Sequence, residues 1–432
     1  MKTLRRFLIV LTCVCSAAFA ADPAGEIDFT RAREIFQRKQ SGETISADDQ
    51  AYLQKAMEAH RRQMQTQTQS QPQAGGGDID WQRAGELHRR VQNGEKLSPE
   101  DQAYYDKAKA IHDRGGGPGG GNKQGGQTGP APGGKDSVGL TPLTELGAGK
   151  YKDEDGGLYG GGKNEPPPAH AAAAQQELAK IRPLDADGKP ATDGKIVLLS
   201  VGMSNTTMEF SRFKQLADAD PDKSPKLVLV DGAQGGQTAA RWAAGTDTAV
   251  WQTVLQRLKA ADVTPSQVQL VWLKQANARP TGTFPDYAKQ LQADIATDLN
   301  LLKATFPNLR VAYLSNRIYA GYATTPLNPE PYSYESAFAV RWLIQDQIKG
   351  DAKLNYDPAR GEVKAPLLLW GPYLWADGTT PRKSDGFTWT RNDLGAGDGT
   401  HPSMAGRQKV AELLLKFVKT DAGARTWFLA KP

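Results

Sequence analysis

Residues 195–202, Lys-Ile-Val-Leu-Leu-Ser-Val-Gly, decide the fold. A short, nearly unbroken apolar run closed by glycine reads as a strand buried on both faces. Four more runs of this kind follow: KLVLVDG (226–232), VQLVWLK (268–274), LRVAYLS (309–315) and PLLLWG (366–371). Between them the apolar spacing becomes helical over 247–261, 284–306 and 333–348, and a last helical segment covers 403–419. Apolar strands alternating with helices imply a parallel sheet with both faces covered. The expectation is therefore an α/β domain over 191–425, three-layered α/β/α around a five-stranded parallel sheet. In such sheets, sites form beyond the carboxyl ends of the strands.

The first strand runs into Val201-Gly-Met-Ser-Asn-Thr206. A serine just past a glycine at a strand-to-helix turn is placed to be an exposed nucleophile, although serine is equally at home as a helix cap. The second strand ends in Asp231-Gly-Ala-Gln-Gly-Gly-Gln-Thr238, whose glycines either let a backbone N–H approach a ligand or make a tight turn. Lys274-Gln-Ala-Asn277 closes the third, and Asp398-Gly-Thr-His401-Pro-Ser introduces the last helix. Of five histidines, those at 60, 88 and 112 lie in an N-terminal repeat, and His170 follows a proline run with no carboxylate close behind it. His401 alone follows an aspartate by three residues, a spacing that sets a carboxylate against the imidazole.

These four blocks, in this order, resemble the SGNH hydrolase (GDSL-like esterase) superfamily. The resemblance covers roughly 190–420 and implies a flavodoxin-like fold. It places Ser204 as nucleophile, Gly236 (with Gly235 one residue away) as the second-block glycine, Asn277 as the third-block asparagine, and His401 with Asp398 as the closing D-x-x-H. Met203 stands where the family usually has Asp, and Gln275-Ala-Asn277-Ala278 where it has G-x-N-D. The Gly-x-Ser-Asn form after a Trp272-Leu-Lys-Gln context is more similar to the sialate O-acetylesterase branch.

The resemblance implies acyl transfer to water without metal or cofactor. Ser204 attacks an ester carbonyl, His401 relays the proton, Asp398 orients the imidazole, and Ser204, Gly236 and Asn277 form the oxyanion hole. The substrate is expected to be a small-molecule or polysaccharide ester, with O-acetyl groups on carbohydrate foremost. Aromatics follow the fourth strand (Tyr319, Tyr322) and the fifth (Trp370, Tyr373, Trp375). Tyr373 and Trp375 are the candidates to stack on sugar rings, with packing under long loops as the alternative. Arg241 and Lys274 lie near the blocks, where surface solvation accounts for them as well as anionic-substrate binding does.

The rest of the 432-residue chain is organised differently. Lys2, Arg5 and Arg6 precede the apolar run from Phe7, which ends in Ala18-Phe19-Ala20. This reads as a signal peptide, 1–20, cleaved after Ala20, and hence as a secreted or periplasmic protein. Both cysteines, Cys13 and Cys15, leave with it, and the formal charge of +5 drops by three to +2. A charge so small over such a length is no footprint for nucleic acid, and no later stretch resembles a membrane span. Residues 27–60 and 79–112 repeat at an offset of 52 with half the positions identical. Each copy reads as a helical hairpin, with Asp28 or Asp80 capping the first helix and Ser46 or Ser98 starting the second. The repeat is either a spacer or an adaptor docking to an envelope component. A Gly/Pro tether spans 113–140 and an irregular lead-in 141–190. Gly129–Lys135 and Gly157–Lys163 imitate a phosphate loop, but Asp136 and Asn164 stand where it needs Ser or Thr. The rival to an esterase is a non-catalytic carbohydrate-binding or envelope protein on the same fold.

Overall fold

The computed structural model describes residues 134–395 and 397–430, residues 97–113, and scattered positions between 31 and 87. The leader, residues 114–133 of the tether and much of the repeat lie outside the described residues. The chain divides into two units, Met1–Gln127 and Thr128–Pro432.

In the first unit the two copies match wherever both are described. Arg31 pairs with Asp49 and Arg83 with Asp101, and each guanidinium lies 4.4 Å from a ring, that of Tyr52 or Tyr104. Ser46 and Ser98 each accept a hydrogen bond from the amide three residues on, at 3.1 Å. Ile35 and Leu87 are buried, as are Ala56 and Ala108. A helix runs Pro99–Asp113, with its proline in the first turn as expected.

The second unit is built on five parallel strands: β1 (Ile196–Gly202), β2 (Leu227–Asp231), β3 (Val268–Lys274), β4 (Val311–Leu314) and β5 (Leu367–Trp370). Their order is β2-β1-β3-β4-β5. Every residue of β1 and β3 is buried, which is why both sequences are apolar without alternation. The edge strands are less covered: β2 leaves Val228 and Asp231 partly exposed, and β5 leaves Leu369 so. Six helices of eleven residues or more accompany the sheet: α1 (Pro168–Leu178), α2 (Ser204–Asp218), α3 (Ala249–Ala260), α4 (Asp286–Thr305), α5 (Tyr332–Lys349) and α6 (Met404–Thr420). Helix α2 packs against α6, and α4 packs against α5. The parallel connections reverse direction between β1 and β3, so right-handed crossovers place α2 on the opposite face from α4 and α5. The result is a three-layer α/β/α unit whose strand order reverses between β1 and β3, the place where sites form in such sheets.

Two expectations need correction. The lead-in is not irregular throughout, because α1 lies within it. Its Pro166–Pro168 run occupies the start of a helix, where a missing N–H costs nothing. The tether also ends earlier than expected. The Asp377 carboxylate accepts from Ser137 Oγ (2.5 Å) and from the amides of Val138 and Gly139, and Lys135 N donates to the Gly321 carbonyl (2.9 Å). Among the described residues, no helix is long and apolar enough to cross a membrane.

Candidate active site

Gly202, the last residue of β1, must be glycine because a Cβ would run into the Lys274 carbonyl and the Thr206 side chain. Met203 follows in extended conformation at the N-cap of α2 and makes no side-chain cap. Ser204 therefore opens a helix whose first amides have neither an intrahelical acceptor nor a cap. Thr206 Oγ1 donates to the Lys274 carbonyl at 2.7 Å, fastening this turn to the end of β3.

Ser204 Oγ lies 2.7 Å from His401 Nε2, and His401 Nδ1 lies 2.5 Å from Asp398 Oδ2. The other Asp398 oxygen accepts from the amides of Thr400 (2.9 Å) and His401 (3.0 Å). Partial burial pushes the Asp398 carboxyl up, but the ring and these two amides outweigh it and hold the group well below the usual carboxylate range. An ionised carboxylate can only accept, so Nδ1 carries the ring proton and Nε2 is free to accept from Ser204. Asn205 Nδ2 donates to the Thr400 carbonyl at 3.0 Å, tying the start of α2 to the loop that carries His401. The sequence reading quoted Asn205 only as part of a block and did not assign it this role.

The second and third blocks meet at the same end of the sheet. Gln234 N donates to the Gly202 carbonyl, and Ala239 N to that of Ala276. Gly236 has φ of +74°, a left-handed value that favours glycine, while Gly235 does not. Both are exposed, and a Cβ on either would meet no neighbour. Asn277 is held at both ends of its amide: Oδ1 accepts from Ala240 N (3.0 Å) and Nδ2 donates to Asp294 Oδ2 (2.6 Å). One Nδ2 hydrogen remains.

Other expectations fare differently. Trp375 is fully buried, its indole donating to Glu330 at 2.7 Å, and Tyr373 is 7 % exposed, its hydroxyl accepting from Leu143 N. Both pack in the core and offer no ring face to a sugar. Tyr319, Tyr322 and Trp370 are buried likewise. Lys274 is not a solvated surface lysine. It is 1 % exposed and forms an ion pair with the buried Glu209 of α2, and burial pushes it down to about 8 against the pull of Glu209. Arg241 is exposed. His170 is buried, pushed down by burial, and donates from Nε2 to the Leu368 carbonyl at 2.9 Å, a packing role. Among the described residues, no three His, Cys, Asp or Glu side chains converge as a metal site.

No family model matches the chain, and no curated protein does. Several solved structures are similar. The lipase Lip_vut3 from a goat rumen metagenome is 13% identical over 51% of this chain and 97% of its own, with a TM-score of 0.31. A Bacteroides fragilis protein proposed to be an acylhydrolase is 16% identical over 61% of this chain and 100% of its own, at 0.30. The periplasmic domain of a lipopolysaccharide acetyltransferase from Salmonella ser. Paratyphi A is 12% identical over 52% of this chain and 83% of its own, at 0.27. Likenesses this distant carry no functional argument, so function is argued from the geometry.

Proposed function

We propose that this chain is a serine ester hydrolase that passes an acyl group from an ester through Ser204 to water. The observation that carries the reading is the hydrogen-bonded line Ser204–His401–Asp398 at the carboxyl end of β1. His401 Nε2 takes the Ser204 proton as Oγ attacks the carbonyl carbon, and Asp398 stabilises the imidazolium that forms. The Ser204 and Gly236 amides and the remaining Asn277 Nδ2 hydrogen are the donors for the developing oxyanion, each worth roughly 100- to 1,000-fold in rate. The tetrahedral intermediate collapses, the leaving alcohol takes the proton from His401, and the acyl-serine is hydrolysed by a water that His401 activates in turn.

The proposed natural substrate is an O-acetylated carbohydrate outside the cytoplasm. This finer reading is supported by the Gly-x-Ser-Asn block and the leader, not by the buried Tyr373 and Trp375. Acetate release from 4-nitrophenyl acetate and acetylated xylan by the full chain, beside Ser204→Ala and His401→Ala, tests it. Activity in the wild type and its loss in both variants are expected. No acetate release by the folded wild type, or release that is equally fast in folded Ser204→Ala, contradicts it.

A further inference from the structure

Beyond Leu314, the end of β4, the chain continues as Ser315-Asn316-Arg317. Ser315 N donates to the Leu273 carbonyl at 2.9 Å, keeping this extension beside the end of β3, where Lys274 and Gln275 lie. The Arg317 amide donates to Ser336 Oγ at 3.0 Å, which fixes its backbone. Arg317 is 2 % exposed, yet its Nε has no acceptor, and no described residue forms a hydrogen bond or ion pair with the guanidinium. Burying an unpaired charge costs several kcal/mol, so it calls for a partner.

The groups that face Arg317 across space are Tyr287, Glu209, Glu330 and Asp398. None is its bonded partner. Glu209 Oε2 is taken by Lys274, and its Oε1 is buried without bonding to Arg317 or to any other group. Glu330 accepts from Ala320 N, Trp375 Nε1 and Tyr334 N. Both Asp398 oxygens are engaged within its own loop. Tyr287 hydrogen-bonds with the Asn277 backbone and Asp398 belongs to the histidine loop, so Arg317 lies within electrostatic reach of both the third block and that loop. Gln275, 2 % exposed, leaves both Nε2 and Oε1 unpaired on the neighbouring strand extension.

We propose that Arg317, with Gln275 on the adjoining strand extension, is the recognition subsite for an anionic oxygen group, a carboxylate or sulfate, carried by the ester substrate. The inference deepens the hydrolase reading and rests on it. A guanidinium presents a planar fork of donors that fits such a group bidentately, and charge-assisted bonds are strong away from water. Gln275 adds one donor face and one acceptor face for a neighbouring hydroxyl. A neutral substrate leaves the buried guanidinium unpaired, so anionic ligands gain roughly 10- to 100-fold over neutral ones.

Binding to full-length Ser204→Ala tests this without turnover, so a failure of the hydrolase reading shows separately as absent wild-type ester cleavage. Glucuronate, sulfate and glucose are titrated by calorimetry. Saturable binding of glucuronate or sulfate but not of glucose is expected, weakened at least ~10-fold by adding Arg317→Met and partly restored by Arg317→Lys. Preference for one anion tells carboxylate from sulfate. Should the Met variant not fold by circular dichroism, Arg317→Lys and Gln275→Leu give the same reading. Absence of saturable anion binding, or anion binding no tighter than that of glucose or unchanged by the Arg317 substitutions, overturns the proposal.

Discussion

Ser204 Oγ and His401 Nε2 lie 2.7 Å apart although 197 residues separate them in the chain. The contact is made because β1, an interior strand beside β3, delivers one partner at its carboxyl end and the loop before α6 folds over that end. Helix α6 packs on α2, which Ser204 begins, so the helices that follow the two residues hold each other.

Asp398→Asn removes the acceptor that keeps the ring proton on Nδ1. A fall of roughly 1,000- to 10,000-fold in kcat for 4-nitrophenyl acetate is expected, with KM little changed. Stability supplies a second readout. The folded-state pKa of Asp398 is lowered, so its contribution is present above the unfolded value of about 3.9 and fades as pH falls. The wild type should exceed Asp398→Asn in urea midpoint at pH 7, and the gap should close in acid.

Asn205→Ala leaves the Ser-His-Asp line intact in composition but strips the Thr400 carbonyl of its donor. Leaving that buried acceptor unpaired costs about 1–3 kcal/mol, and the histidine loop loses a tie to α2. Steady-state kinetics should show kcat lowered by roughly 10- to 100-fold with KM largely kept.

Glu209 and Lys274 form a fully buried pair between α2 and β3. Removing one partner strands the other, so Glu209→Ala or Lys274→Met should each cost about 3–5 kcal/mol in urea unfolding. Replacing both, as Glu209→Leu with Lys274→Met, should recover most of that loss.

Asp298 on α4 is fully buried with neither carboxylate oxygen paired. Burial, and after it the charge of Asp294, pushes its carboxyl well above the ordinary range. A raised folded-state pKa favours the folded state below the unfolded value of about 3.9, and that advantage is lost as pH rises. At pH 7 the residue is therefore a cost, and Asp298→Leu should stabilise by about 1–3 kcal/mol. Thermal melts should show the gain at pH 7 and its shrinkage near pH 4.

The strands were legible because a sheet buried on both faces demands continuous apolar runs; the run at 268–274 is β3 to the residue. Helix α2 was not assigned a span, because Ser-Asn-Thr-Thr at its start favours caps and turns over helix interiors. The residues of the hydrogen-bonded line could be named since each stands at a strand end or before a helix in a short motif. Arg317 could not, as nothing local distinguishes a surface arginine from one buried where β4 ends. Tyr373 and Trp375 misled for the same reason: a loop aromatic in sequence looks alike whether it faces a ligand or fills the core beneath.

The central claim is that Ser204 is a nucleophile activated by His401. A fluorophosphonate probe on the full chain, followed by peptide mass spectrometry, tests it most directly. Adduct on the peptide containing Ser204, abolished by Ser204→Ala and strongly slowed by His401→Ala, is the result expected. Absence of labelling at Ser204 in folded wild type, or labelling that proceeds equally without His401, would contradict the account.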